Sequence, residues 1–351
     1  MRIQQLREKL FMTALNGYLV TNIQNIYYLT GFLDVPNPYL ALFIPLHADP
    51  ILFTPPLSYA AAQESAKGCV IQQVTPEDAV TTLITSLKEH RCIGFDNLSI
   101  ALYLLLGSKL PFHKFTQKQD IISTLRRVKD DQEIALIRQA AKLTDQGAIA
   151  GCEFVTEGVT EYEVAAEIEY AMRRRGSEGV AFETVVASGP RAAFPHGLAT
   201  DRVLRRGDAV VMDLGAVVAG YRCDITRTVI IGPPSNQQKN VLNIVLKAHD
   251  RALDAMQCSV PAREIDAIAR QYITQQGFGE KFIHSLGHGV GLDVHEAPFL
   301  SAHSSDILEV GNIVTDEPGI YLSTFGARIE DTVLITSDKA EKLTMAPYYL
   351  P

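Results

Sequence analysis

Four carboxylates and three imidazoles draw notice in this sequence because of where they sit. Asp213 and Asp224 fall inside DLGAVVAGYRCDITRT, and Glu317 and Glu330 inside VTDEPGIYL and ARIEDTV. These stretches, rich in β-branched and apolar residues, otherwise read as hairpin strands. Aspartate is depleted in strands, so acids there need a reason. Positions separated by an odd interval can face each other across an antiparallel hairpin, and both acid pairs meet that condition. A turn centred near Val218 and Ala219 would set Asp213 opposite Asp224, and a turn between Ser323 and Gly326 would set Glu317 opposite Glu330. Opposed Cβ atoms lie about 4.5–5.5 Å apart, and like charges so placed repel unless a cation lies between them. Any one of these acids could simply sit in water at a strand end, whereas four with matching parity argue for a shared cation.

The run FIHSLGHGVGLDVHE lies between the two hairpins and supplies His284, His288 and His295, among glycines that let backbone and side chains approach closely. A lone histidine here is ordinarily a packed or hydrogen-bonded residue. Three of them beside four acids suggest ligand and proton-transfer roles.

Helices must carry these hairpins. Asp130 with Glu133 forms a capping-box signature ahead of a long helix whose Ile134, Ile137, Ala141 and Ala148 keep one face apolar. Thr160 with Glu163 opens a second helix, closed by Gly176, and Ser235 with Gln238 opens a third. Pro261 starts a fourth, which ends near Gly277. With the strands FETVVASG, GNIVTDEPGIYL and ARIEDTVLIT, the C-terminal part reads as α+β, an antiparallel sheet backed by helices. Before about residue 125, helical stretches alternate with the short apolar runs GYLVTN, YLALFIPL, ADPILFT, CVIQQV and RCIGFD, the pattern of an α/β domain with a mixed sheet. That part holds no phosphate-cradling loop and no acid or histidine cluster. We therefore expect two domains, residues 1–125 and 126–351.

The 351 residues suffice for two cores, and the net charge of −8, with no basic tail or face, argues against nucleic-acid or membrane partners. The triplet Arg173 to Arg175 reads as a solvated helix end. Five cysteines without CxxC pairing fit neither a disulfide framework nor a thiolate zinc site, so a reduced, cytoplasmic setting is expected. MRIQQLREKLF does not read as a signal peptide, and no apolar run is long enough to cross a bilayer.

The ordered runs DLGAVVAGYRCDITRT, GHGVGLDVHE, EPGIY and RIEDTV resemble the two-domain Xaa-Pro peptidases, prolidase and aminopeptidase P. Their pita-bread metallopeptidase fold is shared with methionine aminopeptidase and creatinase. The likeness spans roughly residues 125–340, and a looser one, through length and GYLVTNIQNIYYLTGF, covers the N-terminal half. It implies an α/β N-terminal domain of the creatinase/prolidase type, for substrate gating and dimerisation, ahead of an α+β pita-bread catalytic domain. Carried over by position, it implies five metal ligands, Asp213, Asp224, His288, Glu317 and Glu330, holding two divalent ions bridged by Asp224 and Glu330. Glu317 would also be the general base. His196 and His295 would hold substrate and stabilise the tetrahedral intermediate, with His284 a further candidate for the substrate pocket. Arg328 and Tyr321 would orient the carboxylates, and Arg328 serves equally as a plain ion pair. The oxygen-rich, thiolate-free donor set favours Mn²⁺ over Co²⁺ or Zn²⁺. The implied substrates are di- or oligopeptides with proline second, and the implied assembly is a homodimer.

The sequence departs from the family pattern at Arg191, Ala192, Ala193 and Phe194 before Pro195 and His196, at Cys223, and at Asp316. Strand alternation should turn Cys223 and Asp316 away from the cations. A methionine aminopeptidase is disfavoured by the first 125 residues, and a creatinase-like hydrolase by the intact ligand set. The remaining alternatives are an aminopeptidase of other specificity and a non-catalytic, protein-binding homologue.

Overall fold

The computed structural model describes residues 2–349. The chain divides into two compact units, one ending at Arg126 and one beginning at Arg127.

The first unit alternates helices α1 (Arg2–Met12), α2 (Ile23–Thr30), α3 (Pro56–Ser65), α4 (Ala79–Leu87), α5 (Ile100–Lys109) and α6 (Asp120–Arg127) with six strands. These are β1 (Gly17–Val20), β2 (Ala41–Pro45), β3 (Ile51–Thr54), β4 (Val70–Gln73), β5 (Cys92–Phe95) and β6 (Lys114–Gln117). They form one sheet in the order β4-β3-β2-β1-β5-β6. Strand β2 runs antiparallel to both neighbours and the other pairs are parallel, a mixed sheet as the alternating pattern predicts. Leu19, Phe43, Phe53 and Ile93 of the sheet pack with Leu83, Leu87 and Leu106 of the helices. Strand β6, KFTQ, has no apolar run to announce it and forms by parallel pairing with β5.

The second unit is two helix-backed sheets. Helices α7 (Asp131–Phe154) and α8 (Glu161–Arg173) start at the expected capping boxes, Asp130 with Glu133 and Thr160 with Glu163. They pack on a sheet of β7 (Val185–Ser188), β8 (Ala209–Leu214) and β11 (Ile225–Ile230), in the order β11-β8-β7. A short hairpin, β9 (Val217–Val218) and β10 (Tyr221–Arg222), joins β8 to β11. Ala148, Val164, Ile168, Val186, Met212 and Ile225 make the core between these layers.

Helix α9 (Asn236–Ala255), capped by Ser235 with Gln238, and α10 (Ala262–Gln275) back the other sheet. Its strands are β12 (Gly287–Gly289), β13 (Glu296–Leu300), β14 (Ile313–Asp316), β17 (Asp331–Ile335) and β18 (Ala340–Lys342), in the order β13-β12-β14-β17-β18. The hairpin β15 (Gly319–Tyr321) and β16 (Gly326–Arg328) links β14 to β17. Val241, Ile265, Ile273, Val314, Ile320 and Val333 fill this second core. Each sheet therefore turns one face to its helix pair, and the acids come from strands and strand ends of both sheets.

Candidate metal centre

The first hairpin departs from its expected register. Strand β8 pairs with β11 so that Asp213 lies opposite Thr226, not Asp224. The turn is Ala219–Gly220, at φ 47° and 75°, with Val218 opposite Tyr221. Moving a turn centre by one residue moves the pairing by two, which keeps parity but changes the partner. Asp224 falls between β10 and β11, where the two chain segments pinch together. A Cβ on Gly215 would stand 2.0 Å from the Cys223 carbonyl oxygen, so only glycine fits there. Thr332 then clamps the backbone of Asp224, donating to its carbonyl at 2.7 Å and accepting from its N–H at 3.2 Å.

The second hairpin keeps the expected register. Asp316 lies opposite Asp331 on one side and Gly319 opposite Arg328 on the other, which sets Glu317 level with Glu330. His288 is delivered by β12, between β13 and β14. Gly287 before it lets β12 approach β14: a Cβ there would stand 2.0 Å from the Thr315 carbonyl oxygen.

All five residues assigned to metal line one cleft of about 360 Å³, together with His196, His284, His295 and Arg328. One ligand atom from each of Asp224, His288 and Glu330 lies within 4.8 Å of the others. The His288 Nε2 is 3.3 Å from Glu317 Oε1 and 3.8 Å from Asp224 Oδ2. Its Nδ1 lies 3.1 Å from the Gly289 carbonyl, which can only accept, so Nδ1 carries the proton and Nε2 presents a lone pair to the acids. Burial pushes the His288 pKa down to about 3, which keeps the ring neutral and able to bind a cation.

The carboxylates behave oppositely. Burial, then repulsion from the neighbouring acids, raises Asp224 and Glu330 well above the ordinary carboxylate range. Burial lifts Glu317 to about 8, against the opposing pull of Arg328. One oxygen each of Asp213 and Asp224 is buried with no hydrogen-bond partner among the described residues. Buried, unpaired, mutually repelling oxygens beside a neutral imidazole fit a divalent cation and little else.

Arg328 braces this cluster. Its Nη2 donates to Asp213 Oδ2 at 2.5 Å, and its Nη1 to the Tyr321 hydroxyl at 2.9 Å and the Pro195 carbonyl at 3.2 Å. Tyr321 in turn meets His284 Nε2 at 2.9 Å, while His284 Nδ1 meets the Ser285 carbonyl at 2.7 Å. Both ring nitrogens of His284 are thus engaged, so it supports Tyr321 and Arg328 rather than presenting a free nitrogen to the cleft. His196 and His295 are exposed at the cleft, and the His295 ring packs edge-on against His288 at 4.2 Å between centroids.

Several residues escape notice in the sequence. Thr226 accepts from Arg328 Nε at 2.9 Å and donates to Glu330 Oε2 at 2.7 Å, and Thr315 donates to Glu317 Oε1 at 3.4 Å. Each is two positions from an acid, hence on the same strand face, and that period-two spacing was the available signal. Phe182, Leu198, Val294 and Phe299 supply apolar lining to the cleft. Cys223 is fully buried and lies 3.4 Å from the Thr332 hydroxyl.

Known proteins match along the whole chain. Residues 135–337 match Metallopeptidase family M24, and residues 2–128 match the Creatinase/Prolidase N-terminal domain. The Xaa-Pro dipeptidase of Pyrococcus furiosus is 38% identical over 345 residues, covering 98% of this chain and 97% of that protein. The crystal structure of the prolidase from Pyrococcus horikoshii superposes with a TM-score of 0.95 at 36% identity, covering 100% of this chain and 99% of that one. The X-Pro aminopeptidase from Thermotoga maritima superposes with a TM-score of 0.86, also at 36% identity, over 95% and 96% of the two chains. The chain therefore belongs to metallopeptidase family M24, with a creatinase/prolidase N-terminal domain ahead of its pita-bread catalytic domain.

Proposed function

We propose that this protein hydrolyses the bond between an N-terminal residue and a following proline, using two divalent ions held by Asp213, Asp224, His288, Glu317 and Glu330. The observation that carries the reading is the cluster of buried Asp224 and Glu330 with half-buried Asp213 and Glu317 beside a neutral Nε2, with orphaned oxygens, in a cleft walled by apolar side chains. The curated dipeptidase relative and the two peptidase structures support proline specificity.

Divalent ions bound there would supply Lewis acidity and an activated water. The chain's own groups account for the rest. Glu317, set beside His288 Nε2 and in reach of the Thr315 hydroxyl, would take a proton from water and give it to the prolyl nitrogen as the peptide bond breaks. His196 and His295, which line the cleft, would donate to the substrate carbonyl. Arg328 holds Asp213 in one orientation and, through Thr226, holds Glu330. The Xaa-Pro bond is a tertiary amide with no N–H, so the cleft needs no acceptor for an amide hydrogen and can be walled by Phe182, Leu198 and Phe299.

Mn²⁺ is the favoured ion for an oxygen-rich set. The unpaired cysteines support a cytoplasmic setting, and no helix among the described residues is long and apolar enough to cross a membrane. Substrate gating and homodimerisation are assigned to the N-terminal unit. The test is hydrolysis of Xaa-Pro dipeptides and of longer Xaa-Pro peptides after chelation and readdition of Mn²⁺, Co²⁺ or Zn²⁺. Metal-restored cleavage of either class supports the reading, and loss of activity in Asp224→Asn and Glu330→Gln supports the bridging roles. Cleavage that persists under chelation overturns it.

A further inference from the structure

Behind the acids that face the cleft lies a second opposed pair. Asp316 and Asp331 are direct partners in the β14–β17 ladder, each next to a cleft acid, Glu317 and Glu330. Strand alternation turns them to the other face, where both are fully buried. Four acids thus occupy two successive cross-strand positions, one pair on each face, and each pair repels itself unless compensated.

The compensation is uneven. Asp331 is well served: Arg227 Nη2 at 2.9 Å, Lys342 Nζ at 3.0 Å and the Thr344 hydroxyl at 2.7 Å all reach it. Neither oxygen of Asp316 has a hydrogen-bond partner among the described residues. The charged group set against it is the His249 ring, also fully buried, carried by α9. His249 Nε2 lies 3.8 Å from Asp316 Oδ2 and 3.1 Å from Asp331 Oδ2, between the two carboxylates. Tyr348 packs edge-on against the ring at 6.0 Å, and Asp250 Oδ1 lies 3.7 Å from Nδ1. Burial alone would lower the His249 pKa, but Asp316, Asp250 and Asp331 raise it to about 10, so the ring is an imidazolium at neutral pH.

We propose that His249 is a positioning residue for the metal centre: its ring, set between Asp316 and Asp331 on the rear face, clamps the two strands there and thereby fixes the spacing of Glu317 and Glu330 on the front. The inference rests on the reading that those glutamates hold metal. The cation behind the strands is built into the chain, and the cations in front are bound.

The experiment titrates Mn²⁺ into chelated, metal-free protein, reading free Mn²⁺ by electron paramagnetic resonance and binding by calorimetry. His249→Gln should bind Mn²⁺ at least about tenfold more weakly than wild type, the low end of what groups supporting metal ligands contribute. Asp316→Val removes the charge that needs clamping, so it should bind within about threefold of wild type, and so should the His249→Gln/Asp316→Val double variant. Recovery in the double variant is the signature of charge clamping, since a mere packing role for His249 would leave it as weak as the single. Wild-type affinity in His249→Gln, or no recovery in the double, overturns the proposal. If His249→Gln does not fold, weak binding by a folded double variant overturns it instead. A wild-type protein that binds no Mn²⁺, Co²⁺ or Zn²⁺ overturns the metal reading itself, which separates the two failures.

Discussion

Arg328 reaches Asp213 at 2.5 Å and Thr226 at 2.9 Å, and the Thr226 hydroxyl passes on to Glu330, so one guanidinium sets the orientation of two carboxylates, one on β8 and one just before β17. Lysine cannot reproduce this, because a single ammonium lacks the planar fork that spans both. Arg328→Lys should therefore weaken Mn²⁺ binding by about 10- to 100-fold and lower kcat/KM for an Xaa-Pro peptide in parallel. Thr226→Val, which cuts only the relay to Glu330, should move both quantities in the same direction by less. Calorimetric titration and initial rates check the pair.

The metal-free protein should lose stability as pH rises from about 6.5 to 8. Glu317 keeps its proton to about 8 when folded and releases it near the ordinary value of 4.5 when unfolded. Between those values the folded state binds the extra proton, so stability falls with rising pH. Asp224, Glu330 and His249, all raised by their surroundings, act in the same direction. His284 and His288 act oppositely, being lowered by burial to about 4 and 3, but their contribution is complete once the unfolded imidazoles lose their protons near 6.5. Above that point the carboxyls and His249 govern the slope, with about 2 kcal/mol from Glu317 alone at roughly 1.4 kcal/mol per pH unit. Denaturation midpoints of chelated protein should drop across this window. Saturating Mn²⁺ should flatten the carboxyl part of the drop.

Removing an acid should separate stability from binding. In metal-free protein at alkaline pH, Glu330→Gln replaces a carboxyl whose ionisation burial and the neighbouring acids disfavour, and should raise unfolding stability by on the order of 1 kcal/mol. The same substitution should abolish tight metal binding. A variant both less stable and metal-free at that pH would contradict the view that the acids are strained without a cation.

The sequence makes some of this legible and hides the rest for identifiable reasons. Helix starts at Asp130, Thr160 and Ser235 are readable because a capping box is complete within four residues. The Glu317–Glu330 register is readable because its turn lies midway between them. For Asp213 the same reasoning misses by two positions. Ala219 takes the left-handed turn conformation beside Gly220, something alanine composition does not announce. The relay through Thr226 and the clamp at His249 depend on distances between elements far apart in the chain. No local pattern encodes those distances. His249 in particular looks like one polar residue on an amphipathic helix until its partners on β14 and β17 are in place.

The close approach of β12 to β14 gives a last test, of whether backbone spacing sets the metal site. Gly287 precedes His288, and a Cβ there would stand 2.0 Å from the Thr315 carbonyl oxygen and 2.9 Å from its hydroxyl. Backbone on the opposing strand cannot rotate away as a side chain can, so Gly287→Ala must push β12 outward. The shift would lengthen the His288 N–H to Thr315 Oγ1 bond, now 3.1 Å, and withdraw Nε2 from Asp224 and Glu317. We expect a stability loss of about 2–4 kcal/mol together with weakened metal binding. Gly179→Ala, where a Cβ meets nothing within 4 Å, is the matched control and should change stability by less than about 0.5 kcal/mol. Both effects read from denaturation curves and Mn²⁺ titrations of the same preparations. If Gly287→Ala retained wild-type affinity, the position of His288 would have to be set by something other than the spacing of β12 and β14.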